Sequence, residues 1–176
     1  PDINLFSLWS KIYQQIHLGL VEMQDDQGRV PIGVSFPGYV MGEKFGILGD
    51  KLRLFAQDEA TLERFNASKW LSRLSDYVHC TRIRPVPKVN GYALYYREQV
   101  KTSRERLARR FAHRHEDVDY ASALAVYANL KPHHTHSPFI RLKSLSSQKE
   151  TLGEGKDFCL CIKKSVIQEP VLGHYN

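Results

Sequence analysis

Between Thr102 and His115 the chain reads TSRERLARRFAHRH, and few local structures accommodate that stretch. At about 100° per residue it separates into two faces. Leu107, Ala108, Phe111 and Ala112 share one side, and Arg106, Arg109, Arg110, His113 and Arg114 share the other. Thr102 followed by Glu105 fits a capping box, in which hydroxyl and carboxylate satisfy free amides of the first turn. Lys101 and Arg104 add charge at the same end. The spacing therefore predicts a helix over 103–115 with an apolar seam and a continuous cationic stripe. A charge run is ordinarily a solvated face. Here the acids that would neutralise such a face by i,i+4 pairing are nearly absent, so the stripe suits a polyphosphate backbone. The net charge of +6 favours an anionic partner, and most of that excess is concentrated around 97–114.

The remaining pattern predicts an α+β chain. Leu5, Leu8, Trp9, Ile12, Ile16, Leu20 and Met23 recur at helical spacing over roughly 4–24, with His17 at the edge of the stripe. Asp25–Gly28 ends the helix with turn chemistry. Ile32–Phe36 and Leu52–Phe55 read as strands. Asp58 caps a helix to about Phe65, Ser68 a second to Tyr77, and a strand follows at 78–86, closed by Pro85 and Pro87. Helix–strand–strand–helix–strand is a ferredoxin-like βαββαβ unit with its first strand missing. Past Pro85–Gly91 the character changes. A strand or arm at 92–100 leads into the arginine helix, a short helix follows at 119–127, and strands at 139–144 and 158–162 flank a Gly-rich turn at 151–156. We expect two halves: 1–88, ferredoxin-like, and 89–176, a nucleic-acid-binding domain carrying the arginine-rich helix.

The candidate chemistry is narrow. His133, His134 and His136 form a histidine loop without carboxylate or cysteine partners at ligand spacing, so a solvated or phosphate-contacting loop is the better reading. Neither a Gly-rich phosphate loop nor a CxxC pair is present, and the acids a two-metal nuclease needs do not converge in the sequence. No metal and no cofactor are expected. Cys159 and Cys161 alternate in an apolar run, which predicts buried strand thiols in a reducing compartment. No apolar run reaches the length of a membrane span, and the cytoplasm is the expected location. Metal-free RNA chemistry remains: a 2′-hydroxyl attacks its own phosphate once a base takes its proton. His17 is a candidate base, although a histidine at a helix edge is most often structural. Ser144 and Ser146 continue the apolar face of their strand and would meet a helix packed on it.

Four segments together resemble a known family: QQIHLGLV at 14–21, IGVSFP at 32–37, YREQVKTSRERLARRFAHRH at 96–115 and PFIRLKSLSS at 138–147. They are similar to the CRISPR-associated precursor-crRNA endoribonuclease of subtype I-F, the Csy-type repeat-processing enzyme, and span most of the chain in that family's order. The resemblance implies a metal-independent endoribonuclease that cuts CRISPR repeat RNA at the base of a stem-loop. It leaves a cyclic phosphate and stays on the hairpin with the other subunits of the type I-F crRNA-guided surveillance complex. It implies His17 as general base, Ser144 as the serine positioning the 2′-hydroxyl, and Ser146 as a second active-site serine. Arg97 and Gln99 match the pair reading base edges near the bottom of the stem, in line with the preferences of Arg for guanine and Gln for adenine. Arg106, Arg109, Arg110, His113 and Arg114 fall on the helix entering the hairpin's major groove, and Phe158 matches an aromatic near the cleavage site that could pack under the terminal base pair. The family opens on a strand and closes on a Gly-rich segment with an active-site tyrosine. This sequence shows neither clearly, and Tyr175 is not equated with that tyrosine. The rival readings are a non-catalytic RNA-hairpin-binding subunit and a DNA-binding protein using helix 103–115.

Overall fold

The computed structural model describes residues 4–99, 103–130, 135–144 and 157–171. The chain is α+β. Its elements are α1 (Leu5–Glu22), β1 (Gly33–Ser35), β2 (Val40–Met41), β3 (Gly46–Ile47), β4 (Arg53–Phe55), α2 (Glu59–Phe65), α3 (Ala67–Trp70), a 3₁₀ turn (Ser72–Leu74), β5 (Tyr92–Glu98), α4 (Arg104–Arg114), α5 (Tyr120–Val126), β6 (Phe139–Lys143) and β7 (Asp157–Ile167). Pro1–Arg97 and Ser137–Asn176 make one compact unit, and Glu98–His136 a second. The last two strands therefore group with α1, although the sequence places them in the half that follows residue 88.

In the first unit α1 is the spine. Asn4 caps it, its side chain accepting from the Phe6 amide at 2.9 Å. The buried positions Trp9, Tyr13, Ile16, Gly19 and Leu20 follow the helical period. They divide between two apolar clusters. Trp9 and Tyr13 pack with Phe36, Tyr39, Leu48 and the strand residues Ile140, Leu142 and Ile162. Ile16 and Leu20 pack with Val30, Ile32, Phe65, Leu71 and Leu74. Gly19 sets the closeness of this second contact: a Cβ there would lie 2.6 Å from the Trp70 ring and 2.8 Å from that of Phe65. In the first cluster Phe36 is ringed by Trp9 at 5.6 Å and Tyr95 at 5.7 Å between centroids, both edge-on. The polar tips are also satisfied. Trp9 Nε1 donates to the Gly49 carbonyl at 2.8 Å and the Tyr95 hydroxyl to the Phe36 carbonyl at 3.0 Å.

A three-stranded sheet, β5-β7-β6, carries α1 against β6, and β1 pairs antiparallel with β4 in a separate two-stranded sheet. Ile140 and Leu142 are buried while Phe139, Arg141 and Lys143 are exposed, the alternation expected from the sequence. Three expectations need correction. Residues 78–91 form no strand and are almost wholly exposed. In a split βαββαβ unit the last strand pairs only with the first. Among the described residues no strand precedes α1, so 78–86 has no ladder to join, and Pro85 and Pro87 could not donate to one. The helix expected over 68–77 is only α3 followed by the 3₁₀ turn. Asn66, left-handed at φ 48°, ends α2 and also caps α3, where Ser68 was expected to do so. Cys159 is exposed and Cys161 half-buried, so neither is a core thiol. The loop after β1, which carries no strand signal in sequence, folds into the short β2–β3 hairpin.

The second unit is the helix pair α4 and α5. Ala108 and Ala123 are fully buried, and the Phe111 ring stands edge-on to Tyr127 at 6.1 Å. Ser103 caps α4, accepting from the Arg106 amide at 3.2 Å while its hydroxyl donates to Glu105 at 2.8 Å. The cap thus falls one residue after the expected Thr102, which lies outside the described residues. Arg104 ties the pair together through the Ala128 carbonyl at 2.9 Å, and Asp119 caps α5 through the Ser122 amide at 2.8 Å.

Candidate active site and nucleic-acid face

His17 occupies the middle of α1, with Tyr13 one turn before it and Leu20 one turn after, both buried. This packing leaves the imidazole half-buried, and desolvation lowers its pKa from the ordinary 6.5. The ring is therefore mostly neutral at pH 7, the form that can accept a proton.

Ser144 follows directly on β6 and is half-buried. What brings the two elements together at this point is Gln14, one turn before His17. Its Oε1 accepts from the Lys143 amide at 3.3 Å, fastening α1 to the strand end from which Ser144 emerges. Sequence reasoning did not single out Gln14. Its only signal was its place on the helix, three residues before the candidate base. Ser146 lies outside the described residues, as do His133, His134 and Tyr175. His136 is exposed.

The β6–β7 register sets Leu142 opposite Phe158 and Lys143 opposite Asp157. Phe158 is half-buried against the first apolar cluster, and the Arg97 guanidinium stands over its ring at 5.6 Å from the centroid. Two residues singled out separately in the sequence, 97 and 158, thus form one exposed-edge cluster beside the end of β6. An arginine plane backed by an aromatic ring is held in one orientation, the requirement for bidentate contact with a base edge. Gln99, two residues on, is exposed.

On α4, Arg106, Arg109, Arg110, His113 and Arg114 are all exposed while Ala108 is buried, so the two faces separate as the sequence indicates. Arg114 Nε donates to the Arg110 carbonyl at 3.2 Å, which orients the last guanidinium along the helix. The acid in this helix, Glu105, sits in the first turn. Its own backbone amide, then the Ser103 hydroxyl, hold its carboxyl below the usual range. It serves the cap and leaves the stripe positive.

An imidazole on α1, a hydroxyl following the strand to which Gln14 ties that helix, and Arg97 set over Phe158 in the same sheet are groups that suit attack at a phosphodiester by a neighbouring hydroxyl. No helix among the described residues is long and apolar enough to cross a membrane. A family model described as CRISPR-associated protein (Cas_Csy4) matches residues 1–176. A CRISPR-associated endonuclease Cas6/Csy4 of Escherichia coli (strain UTI89 / UPEC) is 30% identical over 177 residues, spanning 100% of this chain and 86% of that protein. The match takes in α1 with its histidine, the β6 end with its serine and the arginine helix alike: this chain belongs to the Csy4 family of CRISPR-associated proteins.

Proposed function

We propose that this protein is a metal-independent endoribonuclease that cleaves CRISPR repeat RNA at the base of a stem-loop. The observation that carries the reading is the half-buried His17, its pKa lowered by desolvation, on a helix that Gln14 ties to the strand end leading into Ser144, in a chain of the Csy4 family. His17 takes the proton of the 2′-hydroxyl, and Ser144 holds that hydroxyl in line, with Ser146 a second serine on the same segment. The 2′-oxygen bonds to its own phosphorus, the bond from phosphorus to the 5′-oxygen breaks, and that oxygen leaves with a proton. The products are a 2′,3′-cyclic phosphate and a 5′-hydroxyl. The nucleophile belongs to the substrate, so a base and a positioning group are sufficient, with neither a metal nor a cofactor in the scheme.

Residues 1–88, read as a ferredoxin-like half whose sheet is reduced to β1 and β4, supply the base. Residues 89–176 supply the serines and the hairpin contacts. Arg97 and Gln99 read the basal pairs over Phe158, and Arg106, Arg109, Arg110, His113 and Arg114 grip the stem. An intact A-form major groove is too narrow for side chains, but a short stem open at its loop is not. Retention of the hairpin through these contacts makes the protein the hairpin-end subunit of a type I-F crRNA-guided complex. The test is single-turnover incubation with a labelled repeat RNA in EDTA. Cleavage at the 3′ base of the stem to a cyclic phosphate is expected. Binding without cleavage would reduce the protein to a hairpin-binding subunit, and preference for duplex DNA would replace the reading altogether.

A further inference from the structure

A cleft of about 490 Å³ lies along α1, β6 and the 3₁₀ turn. Lys11, Arg73, Arg141 and Lys143 line it, against a single carboxylate, Asp157, leaving a formal excess of three positive charges. Leu74 and Leu142 give it an apolar wall. The backbone adds to the cationic character. The Ile162 amide donates to the Pro138 carbonyl at 2.9 Å, and Ile140 and Leu142 are registered with Leu160 and Phe158. These even-numbered residues therefore make the ladder bonds to β7, and the amides of Arg141 and Lys143 point to the open edge of β6. The Lys143 amide is the one that meets Gln14.

The position of the cleft says which ligand it takes. In the sheet order β5-β7-β6, Arg97 lies on the edge strand β5 and Phe158 on the central strand β7, and among the described residues none from β5 lines the cleft. Ser144 leaves β6 directly after Lys143, and His17 stands one turn from Gln14, which also lines the cleft. The candidate chemistry is thus flanked by a base-reading cluster on one side and by a cationic trough with an apolar wall on the other. A polyphosphate strand carrying bases matches both properties of the trough: phosphates meet the lysines and arginines, and a base or ribose meets the leucines.

We propose that this cleft binds the RNA strand 3′ of the scissile phosphate, the single-stranded segment that departs with the 5′-hydroxyl. The proposal rests on the reading of the chain as a hairpin nuclease. It makes Lys11 and Arg73 phosphate-binding residues that act on the flank and not on the stem.

The experiment compares two repeat RNAs, each with a 2′-deoxy nucleotide before the scissile phosphate so that neither is cut. One ends one nucleotide past that phosphate and the other continues for six. With the wild-type protein the longer RNA should bind more tightly and with a steeper salt dependence. The Lys11→Ala/Arg73→Ala double variant should lose about 1.4 from the slope of log K against log salt on the longer RNA, at about 0.7 per single-strand contact, and nothing on the shorter one. Both side chains are exposed, so an unchanged Tm is expected, and Lys11→Arg/Arg73→Lys should restore the slope. Equal slopes for the two RNAs, or a double variant that keeps the full gain, overturn the cleft assignment while hairpin binding stands. Failure of the wild type to bind either hairpin overturns the nuclease reading and the cleft assignment with it.

Discussion

Replacing His17 by alanine separates a catalytic ring from a structural one. The residue is half-buried and belongs to neither apolar cluster, so its loss opens no large void in either. Removal of a proton-transfer group costs roughly two to four orders of magnitude in rate. Single-turnover cleavage of labelled repeat RNA, measured with protein in excess, should fall by that amount, while hairpin affinity in the same buffer stays at the wild-type level. The pH profile adds a second readout. An unperturbed imidazole of pKa 6.5 is about three-quarters neutral at pH 7, and burial moves His17 further in that direction. The wild-type rate should therefore rise with pH through a value below 6.5 and be nearly level by pH 7. The same shift has a stability consequence of definite sign. The unfolded chain binds this proton more tightly than the folded one, so stability present above pH 6.5 is lost as pH falls through the lowered folded value, and the alanine variant should lack that component. Folded His17→Ala protein that cuts at the wild-type rate, with a lowered Tm as its only defect, would remove His17 from the mechanism.

Gln14→Ala should slow cleavage without changing hairpin affinity, because it frees the β6 end from α1, while Gln14→Glu keeps the acceptor and should recover most of the rate. A change confined to affinity would refute the tether. Arg110→Ala/Arg114→Ala should flatten the salt dependence of hairpin binding by roughly 0.7 to 0.9 per lost phosphate contact, and an unchanged slope would mean that this face does not meet RNA. Gly19→Ala drives a methyl to 2.6 Å from the Trp70 ring, and overpacking of that kind costs about 1–3 kcal/mol. Thermal melting should show it, and an unshifted Tm would mean that α3 moves aside freely.

How far the sequence was readable follows from the range of the interactions involved. Features fixed within one or two turns were legible. The apolar period of α1, the Asp58 cap and the alternation in β6 all appear in the structure close to where the pattern places them, because each depends on neighbours a few residues away. The two faces of α4 were equally plain, and its cap moved by a single residue because Ser103 and Thr102 offer the same hydroxyl. What failed depended on a distant partner. Residues 78–86 have the composition of a strand, but a strand needs a ladder, and here no neighbouring strand is described. The exposure of Cys159 depends on which face of β7 is turned to the apolar cluster that takes Phe158 and Leu160, which alternation alone does not say.

The candidate site divides along the same line. Its chemical types, an imidazole at a helix edge and a hydroxyl at a strand end, could be named from residues 17 and 144 taken singly. Their relation could not, because it rests on a contact spanning 129 positions, between the Gln14 side chain and a backbone amide. Backbone amides have no identity in a sequence, so a contact of this kind leaves no pattern to read. It is also a contact that joins the helix carrying one candidate to the strand that leads into the other. The sequence offers the histidine on α1 as a candidate base, and the glutamine one turn away adds a polar tie from that helix to the strand leading into Ser144. The Gln14 variants test that relation directly, since they leave both candidate residues in place and alter only what fastens one to the other.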